Sequence, residues 1–116
     1  MPGPATVTRG NIGLEMLLSA ILTPPNVAAN TTAVQTYTIQ GLNLYDFIEM
    51  NQLSHIVGLS IGNCWVSATN TLSVQFVNST GSAINSSPAT QFILNVDRSE
   101  NGYLGLVPQA FPSAIV

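Results

Sequence analysis

Two short stretches constrain the fold of this chain more than anything else in it. In "TLSVQFVN", Thr71 to Asn78, the residues Leu72, Val74 and Phe76 alternate with Ser73 and Gln75. In "TQFILNV", Thr90 to Val96, Phe92, Leu94 and Val96 alternate in the same way. A period of two puts every second side chain on one face, which is the pattern of a half-buried β-strand and not of a helix. Other segments repeat the length if not the clarity. "AVQTYTI" (Ala33 to Ile39) sets Tyr37 and Ile39 against Thr36 and Thr38 and stops at Gly41. "DFIEM" (Asp46 to Met50) offers Ile48 and Met50 to a core, and "LSIGNCWVS" (Leu59 to Ser67) carries Gly62 as a bulge or a point of close approach. Turn residues separate them: "ATN", then "STGS", where Gly81 is expected to supply a positive φ, then "INSSPA" and "DRSENG".

Short strands at this spacing predict an all-β fold, an antiparallel β-sandwich of jelly-roll or immunoglobulin-like order. At 116 residues there is room for one domain. We divide it into an N-terminal arm (1–18), a sandwich core (19–98) and a C-terminal apolar arm (99–116). One segment is ambiguous. Ile12, Met16, Leu17, Ala20 and Ile21 would share a helical face, but a strand from Leu18 to Thr23, stopped by "PPN", would join the sheet already inferred and is preferred.

Charge enters because there is so little of it. Charged residues are 6% of the chain, against about 25% in an average globular protein. There is no lysine, and Arg9 and Arg98 are the only cations, so nucleic acid is not the expected partner. The net charge of −3 gives copies of the chain little mutual repulsion. Edge strands are usually guarded by charge. Here they are not, which favours association, with a homotrimer preferred to a dimer.

The chemistry-bearing residues are few. His55 with Asp46 and a serine lacks the glycine pattern of a nucleophile elbow. Asp46 and Glu49 on one strand would point to opposite faces, which does not suit a glycosidase pair. One histidine and one cysteine fill no zinc shell, so no metal and no cofactor is expected, and the chain is not read as an enzyme. Cys64, alone, reads as a small core residue, and Arg98 as a local surface partner of Asp97 and Glu100. The apolar run "GLEMLLSAIL" is broken by Glu15, preceded only by Arg9 and too short for a membrane span, so no membrane partner is expected and synthesis is expected to be intracellular. Sequons at Asn30, Asn78 and Asn85 are read as a by-product of a composition rich in Asn, Ser and Thr. That leaves contact residues. Trp65 on a strand and Tyr103, Leu106 and Phe111 in the apolar tail are the candidate partner-interface residues.

The order of segments adds a resemblance. "LTPPNVAANTTAVQTYTIQGL" (Leu22 to Leu42), a short strand led by Asp46, and "GLSIGNCWVSATNTLSVQFVNSTGSAI" (58–84) together resemble a family of small tailed-bacteriophage virion proteins. In these an "A-N-T-x-A-x-Q-T-x-T-V-x-G-L" segment precedes "G-D-V-V" and "G-x-R-V-S-A-x-D-T-L-x-I-x-F-x-N-x-T". This chain departs from the pattern at Tyr45, where glycine is usual, at Cys64 and Trp65, where a small residue and an arginine are usual, and at Asn70, where aspartate is common. The resemblance implies a capsid decoration or cement protein made in the host cytoplasm, carried on the virion exterior and bound to the major capsid protein. A head-fibre or receptor-binding adhesin using Trp65 on host glycans is the alternative.

Overall fold

The computed structural model describes residues 12–85 and 87–100, and all six strands within them are antiparallel. They are β1 (Ile12–Leu22), β2 (Thr31–Thr38), β3 (Phe47–Gln52), β4 (Leu59–Ala68), β5 (Thr71–Asn78) and β6 (Thr90–Ser99). Two three-stranded sheets result, ordered β1-β6-β3 and β2-β5-β4. The protein is thus all-β, consistent with a sandwich. The six described strands are fewer than the seven of an immunoglobulin constant domain or the eight of a jelly roll, and neither order is assigned.

The two strands that alternate most clearly in sequence are the middle strands of the two sheets. Leu72, Val74 and Phe76 of β5 are fully buried, as are Phe92 and Leu94 of β6, with Val96 at 1% exposure. Middle strands have a neighbour on each side as well as a sheet opposite, so their inward rows must be apolar throughout. Each such side chain contributes about 1.5–3 kcal/mol by leaving water. Ile48 of β3 and Leu59 and Val66 of β4 complete the layer, with Met50 half-buried against it. At one side Cys64 joins the sheets by donating its Sγ–H to the Ile48 carbonyl at 3.4 Å. On the other side the Tyr37 hydroxyl donates to the Thr23 carbonyl at 2.7 Å.

Loops are fastened by a few polar side chains. Asn78, at 1% exposure, donates its amide to the carbonyls of Val27, Ala28 and Ser82 and accepts from the Thr80 N–H and hydroxyl. The amide read as a sequon is therefore consumed inside the fold. Val27 and Ile84 exchange backbone hydrogen bonds of 2.9 Å beside it. Gly62 sits at a register shift of β4, and a Cβ there would lie 2.5 Å from Gln75 Oε1. Gly58 has φ of 81° with Thr80 packed against it. Gly81 corrects an expectation: its φ is not positive, because Thr80 and Asn78 side chains, not glycine, shape that turn.

A second correction concerns β1. It begins at Ile12, not Leu18, and pairs with β6 along its length, so residues 12–18 of the expected N-terminal arm are strand. Both faces of β1 are apolar, with Leu18 and Ala20 turned inward and Leu17 and Ile21 outward, which hides the period of two. β6 runs to Ser99, one residue into the expected C-terminal arm.

Candidate partner interface

The outer faces of the two sheets are built differently. On β1-β6-β3, residues Gln91, Ile93, Asn95 and Asp97 of the middle strand point away from the core, by alternation with the buried Phe92, Leu94 and Val96. Register then fixes their neighbours. Glu15 and Phe47 flank Asp97, Leu17 and Glu49 flank Asn95, and Ile21 lies beside Gln91. Leu17 and Ile21 are each 72% exposed and Phe47 57%. Glu15, Leu17 and Asn95 also line a shallow depression in this face, with Met16 beside them. Asn95 donates to Glu49 at 3.4 Å, and Gln91 to the Ser19 hydroxyl at 2.9 Å. Asp97 Oδ1 is buried without a hydrogen-bond partner.

The outer face of β2-β5-β4 carries no charge at all, since no residue of the three strands is ionic. Thr36, Ser73 and Trp65 form one row across it and Val34, Gln75 and Asn63 the next. Ser73 donates to the Ser67 hydroxyl at 2.7 Å. Trp65 is 38% exposed on this face, while Val66 turns inward to the core and Cys64 packs against it. The tryptophan is thus placed where a partner can reach it. Tyr103, Leu106 and Phe111 lie outside the described residues.

One end of the charged sheet is fastened by an ion pair. Arg98 donates Nε to Asp46 Oδ1 at 2.9 Å and Nη2 to Oδ2 at 2.8 Å, and Nη2 also reaches the Gly41 carbonyl at 2.7 Å. This overturns the local surface pairing expected for Arg98: its carboxylate partner is 52 residues distant in sequence. Asp46 also accepts from the Asn43 N–H at 2.9 Å. Burial raises the Asp46 carboxyl, but the Arg98 hydrogen bonds, the Asn43 amide and the Arg98 charge outweigh it and hold it below its usual value. With both oxygens engaged, Asp46 cannot orient a histidine. Next to it Tyr45 has φ of 74°, in the left-handed region, with its side chain 70% exposed. Asn70 has φ of 62°; its Oδ1 accepts from the Gly41 N–H at 2.8 Å, so both left-handed residues hold the same corner.

Two further ionisable side chains of the described residues are shifted by burial. Burial, and then the charge of Glu49, push the Cys64 thiol up, away from the nucleophilic thiolate. Burial pushes the Tyr37 hydroxyl up to about 12. His55 is exposed on the β3–β4 loop. No group of three or more metal-ligating side chains comes together among the described residues. Sequence reasoning missed Leu17 and Ile21 as surface residues, since an apolar side chain in a strand reads as core, whereas alternation with Ile48 and Met50 had already set Phe47 on the outer face with Glu49. The one available signal was that β1 is apolar on both faces. Comparison of the chain with protein-family models, with curated proteins and with solved structures gives no match.

Proposed function

We propose that this chain is a bacteriophage capsid decoration or cement protein, a β-domain that binds the outer surface of the head and stabilises contacts between major capsid proteins. It acts through buried interface area and not through catalysis, as a homo-oligomer, with a trimer preferred to a dimer. The observation that carries this reading is the sheet β2-β5-β4: its strands hold no charged residue, and its edge strands β2 and β4 have none of the Lys, Asp or Glu that keep strand edges apart. Such edges and faces suit a life spent covered by other chains.

The backbone also supports the family resemblance at two places where the sequence departs from it. The pattern has glycine at the position of Tyr45 and often aspartate at that of Asn70, and these positions have φ of 74° and 62°. Left-handed backbone favours glycine first and Asn or Asp next. Glycine and aspartate are thus residues that the backbone of this chain would favour at these two positions.

The test is to mix the purified chain with heads that lack it and to image them by electron microscopy. Density on the outer surface and a higher disruption temperature are expected, and bare heads would overturn the reading. One observation favours an adhesin as the second reading: Trp65 stands on the outer face among neutral hydroxyl and amide groups, as a sugar-stacking residue would. Trp65→Ala is expected to cut oligomerisation or head binding by about 2–4 kcal/mol, measured by analytical ultracentrifugation and head binding. Loss of host-cell attachment with head occupancy intact would favour the adhesin.

A further inference from the structure

We infer that the outer face of β1-β6-β3 docks against a partner surface that presents basic side chains, Lys or Arg, around an apolar centre. Three observations meet on this face. Leu17, Ile21 and Phe47, on the two edge strands of the sheet, are more than half exposed, and Ile93 of the central strand faces the same way. Glu15 and Asp97 are direct cross-strand partners, with Glu49 one row away beside Asn95, so like charges are brought together where they repel. Asp97 Oδ1 is a buried acceptor with no donor.

Among the described residues no cation answers these carboxylates, although the Asn95 amide donates to Glu49 at 3.4 Å. Arg98 is the one cation, and its Nε and Nη2 are spent on Asp46 and Gly41. A second copy of the same face would set carboxylates against carboxylates. A copy's β2-β5-β4 face brings no positive charge. Phosphate-bearing partners, whether nucleic acid or lipid, have the wrong sign. A guanidinium or ammonium group over the Glu15–Asp97 pair, reaching Oδ1 by a turn of the Asp97 carboxylate out of its buried position, with apolar side chains over Leu17 and Ile21, satisfies all three observations. The inference rests on the decoration reading only for the partner's name: there, this is the side that faces the shell, and the uncharged sheet is left for neighbouring copies.

The test uses two probes, a synthetic peptide of alternating Lys and Leu and heads that lack the chain. The full-length protein is compared with a triple variant, Glu15→Gln, Glu49→Gln and Asp97→Asn, and with Val34→Ser and Trp65→Ser on the opposite face. Folding of each variant is checked by near-ultraviolet circular dichroism and by its backbone amide spectrum. Peptide-induced shifts are expected on the outer rows of β1, β3 and β6, with affinity falling about tenfold between roughly 50 and 500 mM salt. The triple variant is expected to bind both probes about tenfold more weakly. The opposite-face variants should bind the peptide as the parent does, and a peptide of alternating Glu and Leu should not bind. Shifts confined to β2-β5-β4, or a folded triple variant that binds both probes unchanged, overturn the inference. Peptide binding through this face without head binding keeps the inference and removes the decoration reading. Head binding that ignores the triple variant does the reverse, and failure with both probes removes both.

Discussion

Phe76 and Phe92 hold equivalent places in the two sheets: each lies on a middle strand, points at the opposite sheet and is fully buried. Along the outward rows the equivalence ends. Beside Phe76 the outward side chain is Gln75, in a sheet without ions. Five residues past Phe92 the outward row reaches Asp97, with Glu15 across from it. All the described Asp, Glu and Arg residues fall in the strands β1, β3 and β6 or within a residue of their ends. The inner rows obey one rule because both sheets fill one core. The outer rows are free of that rule, so their difference reports what each face meets. A soluble-looking sheet needs no charge to fold; where charge is kept, as at Asp46 and Arg98, it fastens a corner, and where it is kept without a cation, as at Glu15, Glu49 and Asp97, it is available to a partner.

The inner equivalence is the first thing to attack. Phe76→Ala and Phe92→Ala are each expected to cost about 3–5 kcal/mol in urea unfolding, by lost transfer energy plus the cavity left behind. The two values should agree within about 1 kcal/mol. A cost under about 2 kcal/mol at one site would show that only one sheet carries the core.

The corner ion pair comes next. Asp46→Ala leaves a half-buried Arg98 without its carboxylate and is expected to cost about 2–3 kcal/mol, below the range for fully buried pairs because the guanidinium still reaches water. Glu15→Gln and Glu49→Gln should each stay within about 0.5 kcal/mol. The pH dependence has a definite sign. The folded Asp46 carboxyl is held low, so its contribution is complete above the unfolded value near 3.8 and is lost as pH falls through the lower folded value. Unfolding free energy measured from pH 6 downward should therefore drop below about pH 4 in the parent, and Asp46→Ala should lack that part of the drop.

The smallest effect separates the two left-handed residues of this corner, Tyr45 and Asn70. Tyr45→Gly removes a backbone penalty of about 1–2 kcal/mol and adds chain entropy of about 0.5–1, for a net gain near 0.5–1 kcal/mol. Asn70→Gly gains nothing, since it gives up the 2.8 Å hydrogen bond to Gly41. Thermal unfolding checks both. Equal responses would mean that the tyrosine is held by contacts and not merely tolerated.

What was legible followed from where each constraint acts. Thr71–Asn78 and Thr90–Val96 were readable because a middle strand buried on its inner face must alternate, and alternation is a local signal; the polar run from Asp97, which reads as a turn, continues the strand to Ser99. The edge strand β1 was half readable: outward Leu17 and Ile21, the residues that make it interesting, are the ones that blur its period. Asp46 with Arg98 was not readable, since the nearest carboxylates in sequence are Asp97 and Glu100 and nothing local announces a partner 52 residues back. Asn78 carried a misleading signal, because the Ser and Thr that complete a sequon are also the residues that close polar turns.

Strand order has a consequence for the chain as it leaves the ribosome. β1 and β3 meet only through β6, and β2 and β4 only through β5. Each sheet therefore waits for a middle strand made after both of its edges. Until β5 emerges no two completed strands are sheet neighbours, and the β4–β5 hairpin is then the sole pairing that a short turn can close. β1, first made and apolar on both faces, stays without its partner until Thr90–Ser99 has been translated. Over that interval its length of bare backbone is open to any strand that arrives first, which is the exposure that long-range strand pairing imposes on a chain while it is being made.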